Sequence, residues 1–155
     1  MRRRSAEKRE VQPDPKFNNQ NVMRFVNIVM IEGKKSIAEN IVYGAFDILA
    51  QKTSEDAMKV FTKAIDNVRP RLEVKPRRVG GATYQVPVEV SSLRGASLAM
   101  RWIRDFARAK KGKPMQQKLA DELLMAYKAE GSAVKKRDET HKMAEANKAF
   151  SHLRW

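Results

Sequence analysis

The sequence predicts a mainly α fold: a six-helix, bundle-like body with a two-stranded β-ribbon protruding between helices three and four. Three observations predict it. Apolar residues recur with a helical period over six stretches. That period gives way once, between Leu72 and Val90, to Val-rich extended sequence around Gly80-Gly81. Proline or glycine stands at most of the changeovers. At 155 residues with 42% hydrophobic side chains, the chain is expected to form one domain, since a chain of that size buries roughly 70% of its unfolded surface.

An irregular basic arm, residues 1–15, closes at Asp14-Pro15. Val22, Phe25, Val26, Val29 and Met30 then share one helical face, and Gly33 is placed to cap the C-terminus of that helix. Ile37, Ile41, Ala45, Ile48 and Leu49 carry a second helix to about Lys52. Thr53 to Asp56 reads as the capping sequence of a third, built on Ala57, Phe61, Ala64, Ile65 and Val68 and stopped by Pro70. The arms Leu72–Val79 and Ala82–Val90 flank a two-residue hairpin signal. With the glycines as the turn, Val79 faces Ala82 and Arg77 faces Tyr84. Pro76 and Pro87 confine both arms to sheet edges, and a lone hairpin is marginal in water, so the ribbon is expected to lie against a partner. Ser91 or Ser92 opens a fourth helix to about Lys110, with Leu93, Ala96, Met100, Ile103 and Ala107 on one arc. Lys113-Pro114 opens a fifth, with Met115, Leu119, Leu123 and Ala126 inward, ending near Gly131. Ser132 starts a sixth, running through Met143 and Ala144 toward Phe150.

Charge is the strongest functional signal. The chain carries 32 Lys and Arg against 18 Asp and Glu, a net +14 and a pI near 10.2. That balance is the footprint of a polyanionic partner. Its distribution is uneven: residues 1–9 hold five cations against one acid, and residues 69–113 hold twelve against three. Thus +13 of the +14 sits in 54 residues, whereas a merely lysine-rich surface would spread its surplus. No apolar run approaches the roughly 18 residues a membrane span needs, and with no Cys there is no disulfide framework or thiolate metal site.

No catalytic constellation assembles. Gly33-Lys34-Lys35-Ser36 resembles the end of a phosphate-binding P-loop, but Ile28 stands where its first glycine belongs. His141 and His152 lie eleven apart on one expected helix, a poor spacing for zinc. No cofactor or metal is implied. RNA contact is expected instead from the arm cations Arg2, Arg3, Arg4, Lys8 and Arg9, from Lys34 and Lys35, and from Lys75, Arg77 and Arg78 on the ribbon. Arg94, Arg101, Arg104 and Arg108 form a stripe down the fourth helix beside a single acid, Asp105, and Lys110, Lys111 and Lys113 follow it. Lys135, Lys136 and Arg137 crowd the start of the sixth helix, where the helix dipole disfavours cations; this suggests an outside anion. Tyr84 and Trp102 are candidates for stacking on bases, although packing is the commoner fate. A solvated face is the alternative for each basic cluster, and an architectural DNA-binding protein is the competing class. The stripe arginines Arg94, Arg101 and Arg104 are expected to tolerate alanine structurally, as is the fold to loss of residues 75–86.

Several ordered segments add a resemblance. These are Asp14-Pro15, Gly33-Lys34-Lys35, Arg77-Arg78-Val79-Gly80-Gly81, Tyr84 through Val90, Met100-Arg101-Trp102, Ala133 through Arg137, and Met143 through Ala149. From about Val11 to Trp155 the chain resembles small-subunit ribosomal protein seven of the bacterial type. The resemblance implies the same six-helix body and ribbon, binding to the 3′ major domain of small-subunit rRNA, and early organisation of the subunit head. It implies that Lys75, Arg77, Arg78, Gly80 and Gly81, with Lys142 and Lys148, border the exit site for tRNA near the mRNA path. It also implies neighbouring head proteins and platform protein eleven as partners, no membrane, and one copy per ribosome. Two residues depart from the pattern: Asn18 stands where relatives often carry Gly, with the same left-handed geometry expected, and Tyr127 stands where a small residue is common.

Overall fold

The computed structural model describes residues 9–153; Arg2, Arg3, Arg4 and Lys8 of the predicted arm lie outside them. Among the described residues the helices are α1 (Gln20–Val29), α2 (Lys35–Thr53), α3 (Ala57–Val68), α4 (Ser92–Ala109), α5 (Met115–Tyr127) and α6 (Ser132–Ala146). Strands β1 (Leu72–Val79) and β2 (Ala82–Glu89) lie between α3 and α4, and a short 3-10 helix, Lys148–Leu153, follows α6. All six α-helices feed one core. Its centre is aromatic, with Phe61 touching Phe25 and Phe46 at ring-centroid distances of 5.3 and 5.2 Å, separations at which tilted rings attract.

The arm is tied down where it meets the body. Asp14, 1% exposed, accepts hydrogen bonds from the Lys16 and Phe17 amides and from the Tyr43 hydroxyl. Burial first, and then this carboxylate, push the Tyr43 phenol well above its usual range. The turn closes through Asn18 at φ 48°, the left-handed geometry expected of it.

Among the described residues, four helix ends are capped by other helices. Arg104 and Arg108 of α4 donate to the Ile28 and Val29 carbonyls at 3.2 and 3.0 Å, closing α1. Asn67 of α3 donates to the Ala126 and Tyr127 carbonyls, closing α5. Arg137 of α6 donates to the Asn67 carbonyl, closing α3. At the other polarity, the buried Glu122 carboxylate of α5 accepts from the Ala133 amide at the start of α6. Each contact satisfies backbone groups that a helix leaves orphaned at its termini. Gly33 therefore does not cap α1, as its position suggested; it lies in the loop after that helix at φ 74°.

Three other expectations shift. The buried face of α2 is Ala38, Val42, Ala45, Phe46 and Leu49, and Ile37 is 55% exposed. Leu93, in the first turn of α4, is 61% exposed and Met143 is 48% exposed. The sixth helix ends at Ala146, so His141 and His152 do not share it.

The hairpin has the expected register, with Val79 opposite Ala82 and Arg77 opposite Tyr84. Gly80 and Gly81 sit at φ 58° and 89°, the left-handed pair that a type I′ turn requires and glycine supplies without strain. The ribbon finds its partner within the chain for its inner half. Val86 and Pro87 are buried, the Tyr84 ring packs on Phe150 at 5.2 Å, and the Arg71 amide donates to His141 Nε2 at 2.9 Å. The outer part, from Gly80 to Thr83 with Pro76 and Arg78, is exposed. Removing residues 75–86 would therefore strip Val86 and Tyr84 from their supports, and so would not leave the body untouched.

Candidate nucleic-acid interface

The ribbon is joined to α4 by an anion that charge counting treats only as a subtraction. Glu73, 9% exposed, accepts two hydrogen bonds from Arg94 Nε and a third from its Nη2, at 2.9 to 3.0 Å, and pairs with Lys75 at 3.4 Å. The Arg94 guanidinium holds the Glu73 carboxyl below the usual carboxylate range, against the opposing pull of burial. One carboxylate thus gathers a stripe arginine and a ribbon lysine. Because the folded pKa is the lower one, this contribution is complete above the ordinary glutamate range and is lost as pH falls through the folded value. Glu73→Gln is expected to melt several degrees below the parent at neutral pH. The gap should narrow as pH falls below the ordinary glutamate range, and thermal melts across pH check it; a gap independent of pH would exclude the ion pair as its source.

His141 makes a second join. Burial, then the neighbouring Arg137, push its pKa down, so the neutral ring accepts from Arg71 across the interface of α6 and the ribbon. An apolar groove of about 460 Å³ runs beside it between Pro87 and Ala144.

The predicted cations separate into two sets. Arg94, Arg104, Arg108 and Arg137 hold protein groups, as described, and Arg104 and Arg137 also bind Asp105 and Asp138. Lys110 pairs with buried Glu122 at 2.6 Å, and Lys113 shares Asp121 with Lys52, whose hydrogen bond, ahead of Lys113, lowers the Asp121 pKa. Lys34, Lys35 and Lys136 make surface pairs with Glu32, Glu39 and Glu139 at 2.8, 4.0 and 3.8 Å, which contribute little at such exposed positions. Arg77 is partly buried. By contrast Arg9, Arg78, Arg101, Lys111, Lys135, Lys142 and Lys148 are exposed and form no ion pair among the described residues. The stripe is therefore partly structural: Arg94, Arg104 and Arg108 would not be silent to alanine, whereas Arg101 would be.

The crowding of cations at the start of α6 also has an internal cause. Gly131 gives that helix no side-chain cap and its first turn holds no acid, but Glu122 places a buried negative charge there. Glu73, Glu122, Lys52 and Arg71 had no local sequence signal, since their partners lie far along the chain. Tyr127 is anchored by its hydroxyl, which donates to Glu55 at 3.0 Å, with Lys63 over its ring. Trp102 packs against the core. Among the described residues no cluster of His, Asp or Glu is suited to a metal ion, and no helix is long and apolar enough to cross a membrane.

Comparison with known proteins agrees with this arrangement. The family model for ribosomal protein S7p/S5e matches residues 1–148. The "Small ribosomal subunit protein uS7" of Fervidobacterium nodosum is 63% identical over 155 residues, covering all of both chains. Its namesake from Thermotoga maritima is 59% identical over the same span, and that of an Anaeromyxobacter species is 60% identical over 99% of each chain. With identity of this order along the full length, the chain belongs to the ribosomal protein S7p/S5e family in its bacterial form and is a structural, non-enzymatic constituent of the small ribosomal subunit.

Proposed function

We propose that the chain binds the 3′ major domain of small-subunit rRNA, helps to nucleate assembly of the subunit head, and borders the tRNA exit site beside the mRNA path, next to platform protein eleven. One observation carries this reading. The +9 segment, residues 69–113, comprises the ribbon and α4, and the Glu73–Arg94 pair fixes the two together. Guanidinium groups match phosphate oxygens with a planar fork, and folded RNA is read largely by its shape. A ribbon and a helix held at a set angle suit such a target.

A footprint of the full chain on small-subunit rRNA is expected to confine protection to the 3′ major domain. Protection elsewhere, or equal competition by duplex DNA at matched salt, would favour the architectural DNA-binding class. The exit-site part has its own test. Removing Arg78, Val79, Ala82 and Thr83 shortens the ribbon by one pair of residues at each of two levels and keeps Gly80-Gly81 as its turn. This variant is expected to melt like the parent, because Val86, Tyr84 and Glu73 stay in place. Subunits that carry it should retain exit-site tRNA less well; unchanged retention counts against the placement.

A further inference from the structure

The loop from α1 to α2 and the first turn of α2 present apolar side chains that nothing in the core explains. Ile31 and Ile37 are each 55% exposed. They line a slot of about 320 Å³ together with Val29, Glu32, Lys34 and Ile41. Their exposure is built in. Glu32 and Gly33 both adopt left-handed backbone, φ 53° and 74°. The turn is closed by hydrogen bonds from the Lys34 amide to the Ile31 carbonyl, 3.0 Å, and from the Lys35 amide to the Gly33 carbonyl, 2.8 Å. A non-glycine residue held at positive φ is strained, and such strain gathers at functional positions.

The rim of the slot identifies the occupant. Val29, on its wall, is the residue whose carbonyl Arg108 binds, and Arg104 binds the carbonyl before it. The arginine arc of α4 therefore runs beside the slot, and Lys34 stands at its mouth. Glu32 is the countercharge, but its pair with Lys34 is exposed on both sides, so a phosphate can displace it at small cost. An apolar slot in a cationic rim suits a nucleobase better than an apolar protein side chain, because a base brings its own phosphates. Resting on the RNA-binding reading above, we propose that this slot receives one unstacked base of the bound RNA between Ile31 and Ile37, with adjacent phosphates on Lys34 and the edge of α4. Apolar walls of this kind hold extruded bases elsewhere by their faces.

The test uses the full chain and a small-subunit rRNA fragment, with affinity measured at several salt concentrations. Ile31→Ser with Ile37→Ser removes no charge and changes no residue of the buried core. This double variant should bind about five- to tenfold more weakly, at the low end of what losing one stacked base does, with an unchanged slope of affinity against salt. Chemical probing should show one base shielded by the parent and reactive with the variant. Ile31→Phe should bind at least as tightly as the parent. Unchanged affinity overturns the proposal, and so does a shallower slope, which would assign the loss to displaced cations. Normal RNA binding with poor incorporation into subunits also overturns it, in favour of a protein occupant. If the parent itself ignored the RNA, the underlying reading would fail first.

Discussion

Replacing Arg78, Arg101, Lys111 and Lys135 together by alanine is expected to weaken rRNA binding by about 10²–10³-fold near 100 mM salt and to flatten the salt slope by about three units. The estimate rests on counterion release: each phosphate neutralised contributes roughly 0.7–0.9 to the slope, so four contacts carry about three. Folding should be nearly unaffected. All four side chains are exposed and none forms an ion pair among the described residues, and surface changes of this kind usually stay within about 0.5 kcal/mol each. Alanine at Arg94, Arg104 and Arg108 makes the contrast. Those arginines hold Glu73 and the last carbonyls of α1, so the triple variant should lose stability and affinity together. Filter binding beside thermal melts separates the two cases. If the first quadruple variant binds like the parent, the exposed cations are merely solvated and the RNA surface lies elsewhere.

The division between these two sets marks how far the sequence could be read. Periodicity located each of the six α-helices, because an amphipathic face is a local property, but not the separate 3-10 helix after α6; Gly80-Gly81 set the hairpin register, because the turn and its pairing lie within a few residues. Reading failed where a decision needed a distant partner. Nothing near Arg104 or Arg108 shows that they close a helix more than 75 residues away, and nothing near Glu73 shows that Arg94 will meet it. Gly33 looked like a cap because glycine after an apolar run usually is one; with α1 already closed by arginines, the glycine was free to shape the next loop. Ile37 matched the period of α2, yet it lies in the first turn, where the slot rather than the core faces it. The whole-chain resemblance supplied what the cations alone could not, namely which RNA, and no single basic residue carried that information.

The largest stability effect is expected at Glu122. Its carboxylate is 1% exposed, accepts from the Ala133 amide and pairs with Lys110 at 2.6 Å. Glu122→Leu keeps the volume but leaves an amide and an ammonium without their anion, and it exposes the positive end of the α6 dipole to Lys135, Lys136 and Arg137. Lys110 is partly solvated, with 35% of its side chain exposed, so the cost falls at the lower end for a broken buried pair, about 3 kcal/mol, which lowers the melting temperature of a chain this long by roughly 6–12 °C. Glu122→Gln keeps an acceptor for the amide and should lose about half as much. The damage should concentrate in α6 and pass to the ribbon, because His141 joins the two; faster amide exchange from Ser132 to Thr140 and at Arg71 would report it. Bound RNA should narrow the gap between Glu122→Gln and the parent, because phosphates near Lys135 supply the negative charge the variant lacks. A gap that does not change when rRNA is added would mean that this helix start does not face the RNA, and that the three cations there serve the fold alone.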